Sequence, residues 1–303
     1  MMRKSPMKQE SRQPISGADF EEYFQPESLE QALEIKAEYQ DQIEVAAGST
    51  DLLVANYEKL HEIKNWLDLD KIEELRRIEV KDNNLHIGAM ATHLQLMKSE
   101  VVKEKLAVLA AAAEDVGSPQ IRSRGTIGGN ICTSSPAGDL LAPLLSYEAG
   151  FKLQSAEGER IVAAEKFFTG PKRNLMEADE LLTEIIIPLT ENEREGAWVK
   201  VGRRKALVIS TLTLSVVLEF ESDKIVKAGV AMGSVAPTPV RLGEVEEMML
   251  GGKLAELDYK KLGQEVKARI NPIDDLRGTK EYREDVAVDV MIRALNEIEG
   301  KRG

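Results

Sequence analysis

The stretch Thr126-Ile127-Gly128-Gly129-Asn130-Ile131-Cys132-Thr133-Ser134-Ser135-Pro136-Ala137-Gly138-Asp139-Leu140 combines small residues, hydroxyls and one amide. It predicts a turn that opens onto an apolar helix from Leu140 to Ala149. Paired glycines let a backbone approach a ligand closely, and hydroxyl and amide groups can donate to phosphate or sugar oxygens. The start of a helix adds free N–H groups and the positive end of its dipole. This chemistry suits a pyrophosphate.

A shorter segment upstream, Val45-Ala46-Ala47-Gly48-Ser49-Thr50-Asp51-Leu52-Leu53, has similar chemistry. It predicts a buried strand, a turn of small residues and a helix capped by Thr50 or Asp51. Taken alone, each segment is more simply an ordinary turn. The dinucleotide fingerprint G-x-G-x-x-G is absent, so a Rossmann-type nucleotide site is not predicted.

Together the two segments resemble the FAD-binding medium subunit of the molybdenum hydroxylases, the family of xanthine dehydrogenase and aerobic-type carbon monoxide dehydrogenase. The resemblance runs in order from about Ala18 to the C-terminus. Five more segments carry it: Ile87–His93, Gly117–Arg122, Phe167–Pro171, Gly233–Pro239 and Pro272–Gly278. Several matching segments in register are much more specific than one glycine-rich loop.

The resemblance implies an α+β fold. A two-part FAD-binding domain of the PCMH (vanillyl-alcohol-oxidase-like) type is expected over residues 18–192. A smaller α+β domain with an antiparallel sheet and helices is expected over residues 193–303. Residues 1–17 are polar and contain proline, and they are expected to form a flexible tail.

Local patterns predict further elements. A helix is expected from Glu104 to Val116, and a charged loop from Thr190 to Gly196 at the domain boundary. Apolar alternation over Leu212–Phe220 predicts a half-buried strand, paired antiparallel with a strand over Lys224–Val235. Three helices are expected at the end of the chain, near residues 241–250, 257–269 and 284–299.

The resemblance implies non-covalent FAD held by the following residues: Ala47, Gly48, Ser49, Thr50, Asp51, Leu52, Thr126, Gly128, Gly129, Asn130, Cys132, Thr133, Asp139, Leu182, Ile185 and Lys200. Within this set, the implied phosphate donors are Gly48, Ser49, Thr50, Gly129, Asn130 and Thr133. No catalytic residue and no metal ligand are expected in this chain.

Four of these residues, besides Cys132, have a second interpretation. Asp139 is implied to lie near the ribose and ribityl hydroxyls, but it could be an ordinary carboxylate at a helix start. Lys200 is implied to stabilise reduced flavin beside the isoalloxazine ring, but it could be a solvated strand lysine. Leu182 and Ile185 could cover the ring systems, form simple core, or do both.

Cys132 is the only cysteine of the chain. It could be a reactive thiol or a small apolar residue packed near the flavin, and packing is favoured because no neighbouring base that would activate it is evident. A single cysteine excludes an intrachain disulfide and is too few for an iron–sulfur cluster on this chain. It fits a reducing cytoplasm.

Composition narrows the class of protein. The chain has 303 residues and a formal net charge of -12, which argues against a nucleic-acid binder. No apolar run approaches the roughly 20 residues of a membrane span. The three histidines, His61, His86 and His93, lack metal-ligand spacing.

The family function follows as an expectation. The chain would be one subunit of a hetero-oligomer whose large subunit carries molybdopterin and whose small subunit carries 2Fe–2S clusters. Electrons would pass from the clusters through FAD to NAD⁺ or another acceptor. Two alternatives remain: a stand-alone flavin oxidoreductase, and a non-catalytic scaffold that has lost FAD.

Overall fold

The structure is a computed structural model that describes residues 21–58, 63–204 and 208–302. The predicted tail at 1–17 and His61 lie outside the described residues. The α-helices are α1 (Leu29–Tyr39), α2 (Leu52–Tyr57), α3 (His93–Lys98), α4 (Glu100–Lys105), α5 (Ala107–Glu114), α6 (Pro119–Arg124), α7 (Ile127–Thr133), α8 (Leu141–Ser146), α9 (Ala164–Phe167), α10 (Gly243–Glu247), α11 (Tyr259–Arg269) and α12 (Lys280–Arg302). The strands are β1 (Glu22–Phe24), β2 (Glu44–Ala46), β3 (Asn65–Asp68), β4 (Ile78–Lys81), β5 (Asn84–Gly88), β6 (Gly150–Ser155), β7 (Gly158–Ala163), β8 (Phe168–Gly170), β9 (Arg173–Asn174), β10 (Leu181–Pro188), β11 (Glu193–Val201), β12 (Leu212–Glu221), β13 (Lys224–Gly233) and β14 (Val240–Arg241).

The N-terminal part begins with a small parallel sheet in the order β1-β3-β2. Helix α1 lies between β1 and β2 in the chain. The side chain of Ser28 caps α1 by accepting from the N–H of Gln31, which satisfies one donor of the first turn. Ala32, Leu33 and Ile35 of α1 are buried in a core that includes β3 residue Leu67.

A five-stranded antiparallel sheet in the order β4-β5-β10-β6-β7 forms the second half of this part. The turn between β4 and β5 has positive φ at Asp82 and Asn83, as tight hairpins require. On the core side, Phe151, Phe167 and Phe168 pack edge to face. Helices α5 and α8 complete the core, and α8 contacts the C-terminal sheet.

The C-terminal sheet is antiparallel, in the order β11-β12-β13-β14. The predicted pairing of β12 with β13 is confirmed. The expectation that β12 is half-buried is wrong, because all its residues except Glu221 are buried. Val217 belongs to the N-terminal core, whereas Val216 and Leu218 face the core that includes α11 and α12. Both faces of the sheet are therefore covered.

Three further boundaries differ from the sequence predictions. The expected loop at 190–196 is wrong from Glu193 onward, because β11 starts there and pairs along β12. The expected helix at 104–116 is divided into α4 and α5 by Leu106, whose φ of -135° and ψ of 49° are not helical. The helix expected over 140–149 is shorter, because α8 covers only Leu141–Ser146.

The α+β class is confirmed, with a mixed N-terminal part followed by an antiparallel sheet and helices. The final three helices are also present, and α12 extends beyond its predicted bounds on both sides. Among the described residues, no helix is long and apolar enough to cross a bilayer.

Candidate functional site

The first candidate loop, residues 47–51, joins β2 to α2 at the carboxyl end of the parallel sheet. Ser49 adopts a left-handed conformation with φ of 56°. Across the described ranges, no protein acceptor receives the backbone N–H groups of residues 48–51. The loop therefore presents a short run of unused donors, a pattern that suits an anion or a polar ligand.

The predicted cap of α2 is wrong. Asp51 occupies the N-cap position, but its side chain accepts no hydrogen bond from the helix, and its φ of -102° and ψ of -45° are already helical. A side-chain cap needs an extended backbone at that position.

The second candidate segment is not a continuous turn. Residues 127–133 form helix α7, and the Thr126 hydroxyl caps it by accepting from the N–H of Gly129 across 3.0 Å. The N–H groups of Ile127 and Gly128 donate to the carbonyl oxygens of Ala91 and Ala89. The start of α7 is therefore bonded to protein, and the free donors of the site are in the first loop.

The two segments meet backbone to backbone. A Cβ built on Gly48 would lie 2.1 Å from the carbonyl oxygen of Arg124 and 2.8 Å from the Cα of Gly125. A Cβ on Gly129 would lie 4.0 Å from the Cβ of Ala47. Glycine is needed at position 48 because any side chain would force the segments apart.

Asn130 supplies the clearest sign that this site fits a ligand. Its side-chain Oδ1 is buried and has no hydrogen-bond partner among the described residues. Buried polar atoms in native proteins are almost always hydrogen-bonded, so this atom is expected to face a donor from a bound molecule. By contrast, the Thr133 hydroxyl already donates to the carbonyl oxygen of Gly129 across 2.8 Å.

Cys132 lies on α7 with its Sγ 3.6 Å from the Sδ of Met176. Burial raises the pKa of its thiol to about 12. Because a thiol reacts as the thiolate, these surroundings support the packing interpretation over the reactive one.

Asp139 and Lys200 form an ion pair between the two parts of the chain. The Lys200 Nζ donates to Asp139 Oδ2 across 2.7 Å and to the carbonyl oxygen of Asp115 across 2.9 Å. The Lys200 side chain is only 9% exposed, so it is not a solvated strand lysine. Burial raises the pKa of Asp139, while Lys200 and a hydrogen bond from Ser210 oppose that rise.

Leu182 and Ile185 lie in β10 and are buried in the N-terminal core. Ile185 is opposite Ile87 on one side and Phe151 on the other. Leu52, at the start of α2, packs against a small cluster that contains Ala46 and Trp66. The structure thus brings together the first loop and α7, and places Asp139 with Lys200 at the junction with the C-terminal sheet.

Three residues of this junction were not predicted from the sequence: Ser210, Trp198 and Asp115. Ser210 is fully buried and donates from Oγ to Asp139 Oδ1 across 2.6 Å. The Trp198 indole N–H donates to Asp115 Oδ2 across 2.9 Å. No local pattern marks these residues, because their partners are 71 and 83 positions away in the chain.

Two family models cover nearly all of the chain. Residues 18–190 match the model described as the FAD binding domain in molybdopterin dehydrogenase. This chain belongs to the FAD-binding medium subunits of the molybdenum hydroxylase family. Residues 197–298 of this FAD-binding subunit match the CO dehydrogenase flavoprotein C-terminal domain.

Named relatives are consistent with this family. The nicotinate dehydrogenase FAD-subunit of Eubacterium barkeri is 34% identical over 78% of this chain and 81% of its own length. The xanthine dehydrogenase FAD-binding subunit of Escherichia coli O157:H7 is 30% identical over 88% of this chain and 91% of its own length.

A solved structure extends the likeness to the fold of this FAD-binding subunit. The carbon monoxide dehydrogenase from Hydrogenophaga pseudoflava that lacks the Mo-pyranopterin moiety superposes with a TM-score of 0.89 at 30% identity. The match covers 94% of this chain and 99% of that one. The fold and the order of the two domain types therefore agree with the family along nearly the whole chain.

Proposed function

We propose that the loop at 47–52 and the segment at 126–133 together hold non-covalent FAD. The observation that carries this proposal is the backbone contact of Gly48 with Arg124 and Gly125. It places the unused N–H donors of the first loop beside α7, which carries the unpartnered Asn130 Oδ1. Gly129 faces the more open side of this contact, where a Cβ would meet the Thr126 hydroxyl at 3.0 Å and the Ala47 Cβ at 4.0 Å, and this leaves room for a pyrophosphate to approach the backbone.

The residues of the chain have distinct proposed tasks. The N–H groups of residues 48–51 and the Ser49 and Thr50 hydroxyls donate to phosphate oxygens. Asn130 accepts from or donates to the cofactor through its amide. Asp139 accepts from the ribose or ribityl hydroxyls, and Lys200 supplies a buried cation near the ring system. Leu182 and Ile185 support the ring pocket from the core.

The domain division at 192/193 is part of the same proposal. It is supported by the start of β11 at Glu193 and by the two main hydrophobic cores, which lie on opposite faces of the C-terminal sheet. In this arrangement Lys200 reaches the FAD-binding domain from the C-terminal one.

We further propose that the chain works in a hetero-oligomer with a molybdopterin-binding large subunit and a 2Fe–2S small subunit. The relatives named as FAD or medium subunits of dehydrogenases support this assembly. When bound, FAD would link one-electron transfer from clusters to two-electron transfer to NAD⁺ or another acceptor. A cytoplasmic location remains part of the proposal.

The test uses the purified full chain. It should be yellow, with about one FAD per chain that acid or denaturant releases intact. The isolated protein should pass electrons from NADH to an artificial dye, but it should not oxidise xanthine, nicotinate or an aldehyde. Adding the partner subunits should restore substrate-dependent reduction of NAD⁺.

Two outcomes would contradict this proposal in different ways. A colourless protein that takes up no added FAD would show that the site does not hold flavin. Steady oxidation of such a substrate by the isolated flavoprotein would instead identify a stand-alone enzyme.

A further inference from the structure

A buried chain of hydrogen bonds connects Asp139 to helix α12. Ser210 donates from Oγ to Asp139 Oδ1 across 2.6 Å, and Ser234 donates from Oγ to the carbonyl oxygen of Ser210 across 3.3 Å. Arg283 of α12 donates from its guanidinium to the carbonyl oxygen of Ser234 across 2.7 Å. All four residues are less than a tenth exposed.

At the Arg283 end, an ion pair holds this hydrogen-bond network in place. The Arg283 side chain also forms an ion pair with Asp275, which lies between α11 and α12. Ser234 and Asp275 belong to the segments 233–239 and 272–278, which resemble the family but received no role from the sequence. The Ser234 carbonyl oxygen and the Asp275 carboxylate both contact the Arg283 guanidinium.

At the other end of this hydrogen-bond network, Asp139 forms an ion pair with Lys200. An ammonium group has three N–H donors, and Lys200 uses two of them, for Asp139 Oδ2 and the carbonyl oxygen of Asp115. Among the residues that the structure describes, no third acceptor lies within reach of its Nζ. The direction of the remaining N–H therefore depends on where the Asp139 carboxylate is held.

We infer that Ser210, supported by Ser234 and Arg283, is a positioning residue that fixes the Asp139 carboxylate and thereby directs the one N–H of Lys200 left for the cofactor. This inference rests on the proposed FAD function. A carboxylate bonded at each oxygen by a different group cannot rotate without losing a charge-assisted hydrogen bond. Removing the Ser210 hydroxyl leaves Asp139 held from one side only.

The same geometry makes the role of Ser210 visible in a pH profile. Its hydroxyl stabilises the ionised form of Asp139, so its loss raises the pKa of that carboxyl further. The ionisable groups that face Asp139 are Lys200, which opposes the rise, and Asp115, which adds to it. On lowering the pH, the variant should thus lose the ionised carboxylate earlier than the wild type.

The experiment compares Ser210→Ala with Ser146→Ala in the full chain. Ser146 is an equally buried serine at the same junction, but its hydroxyl donates to the carbonyl oxygens of Ala142 and Ser215 and not to Asp139. FAD dissociation constants are measured from pH 5 to 9 by the quenching of FAD fluorescence, together with the visible spectrum of the bound flavin.

We expect Ser210→Ala to bind FAD about tenfold more weakly at neutral pH, as for a lost hydrogen bond to a charged group. The midpoint of its acid-side loss of FAD should move up by about one pH unit, and the flavin spectrum should shift. Ser146→Ala should keep the wild-type midpoint and spectrum.

A Ser210→Ala protein that matches Ser146→Ala in FAD affinity, pH profile and flavin spectrum would overturn the inference. If Ser210→Ala does not fold, Ser234→Gly replaces it, since glycine suits the φ of 62° at that position. That variant should show a smaller shift in the same direction, and an unchanged midpoint would again overturn the inference. Wild-type protein that binds no FAD would instead reject the proposed function itself.

Discussion

Gly48 contacts the backbone of Arg124 directly, because a Cβ on Gly48 would lie only 2.1 Å from the Arg124 carbonyl oxygen. The contact joins the loop after β2 to the segment that leads into α7. The need for glycine here comes from close packing, because the left-handed conformation of this loop is at Ser49 and not at Gly48.

The first prediction is that Gly48→Ala separates the two segments and weakens FAD binding. Inserting a methyl group into a packed contact typically costs about 1–3 kcal/mol of stability, and FAD affinity should fall more than about tenfold. Urea denaturation and flavin titration measure the two effects. Gly243→Ala is the control, because its Cβ would have no heavy atom within 4 Å; equal effects in both variants would contradict the prediction.

The second prediction concerns Gly129→Val. Gly129 lies within α7 without a positive φ, so the variant should act by crowding the Thr126 hydroxyl, 3.0 Å from a Cβ at this position, and the space toward Ala47, and not by backbone strain. The ratio of flavin to protein should collapse while the C-terminal domain remains resistant to proteolysis. Gly300→Val, on an open part of α12, should keep its flavin. Normal flavin content in Gly129→Val would show that the phosphate site is elsewhere.

The third prediction is that Cys132 packs and does not react. Because burial raises the pKa of its thiol to about 12, the thiolate is scarce at pH 8. Alkylation of the native protein should be at least about a hundredfold slower than that of the unfolded protein. Cys132→Ala should retain FAD, and rapid native-state alkylation with loss of flavin would support the reactive interpretation instead.

The fourth prediction is a dependence of stability on His93 at acid pH. Burial lowers the pKa of His93 to about 4, and Arg122 adds to the effect; its Nδ1 has no partner among the described residues. The unfolded chain therefore binds a proton at this site between pH 6.5 and 4 that the folded chain does not. The free energy of unfolding should fall by up to about 3 kcal/mol as the pH drops through this window.

The variant His93→Met removes this titration. Its free energy of unfolding, measured with urea at several pH values, should fall less steeply than that of the wild type between pH 6.5 and 4. Parallel curves for the two proteins would contradict the prediction, because carboxylates common to both would then account for the whole acid effect.

Local signals in the sequence succeeded where the structure depends on neighbouring residues. The apolar patterns along β12, β13 and the last three helices predict these elements, and the structure contains all of them. The break at Leu106 between α4 and α5 has no proline or glycine to mark it. The cap expected at Asp51 failed because the backbone there is already helical.

The sequence by itself determined the family and the α+β class, and it singled out the two segments that we propose hold FAD. Small residues and hydroxyls at fixed spacing specify local backbone geometry and are readable in one dimension. Only the tertiary structure decided that β12 is buried on both faces, and that Asp139 meets Lys200 and Ser210 from 61 and 71 positions away. Such contacts depend on how the N-terminal core and the C-terminal sheet pack against each other, and no spacing within either part encodes that packing.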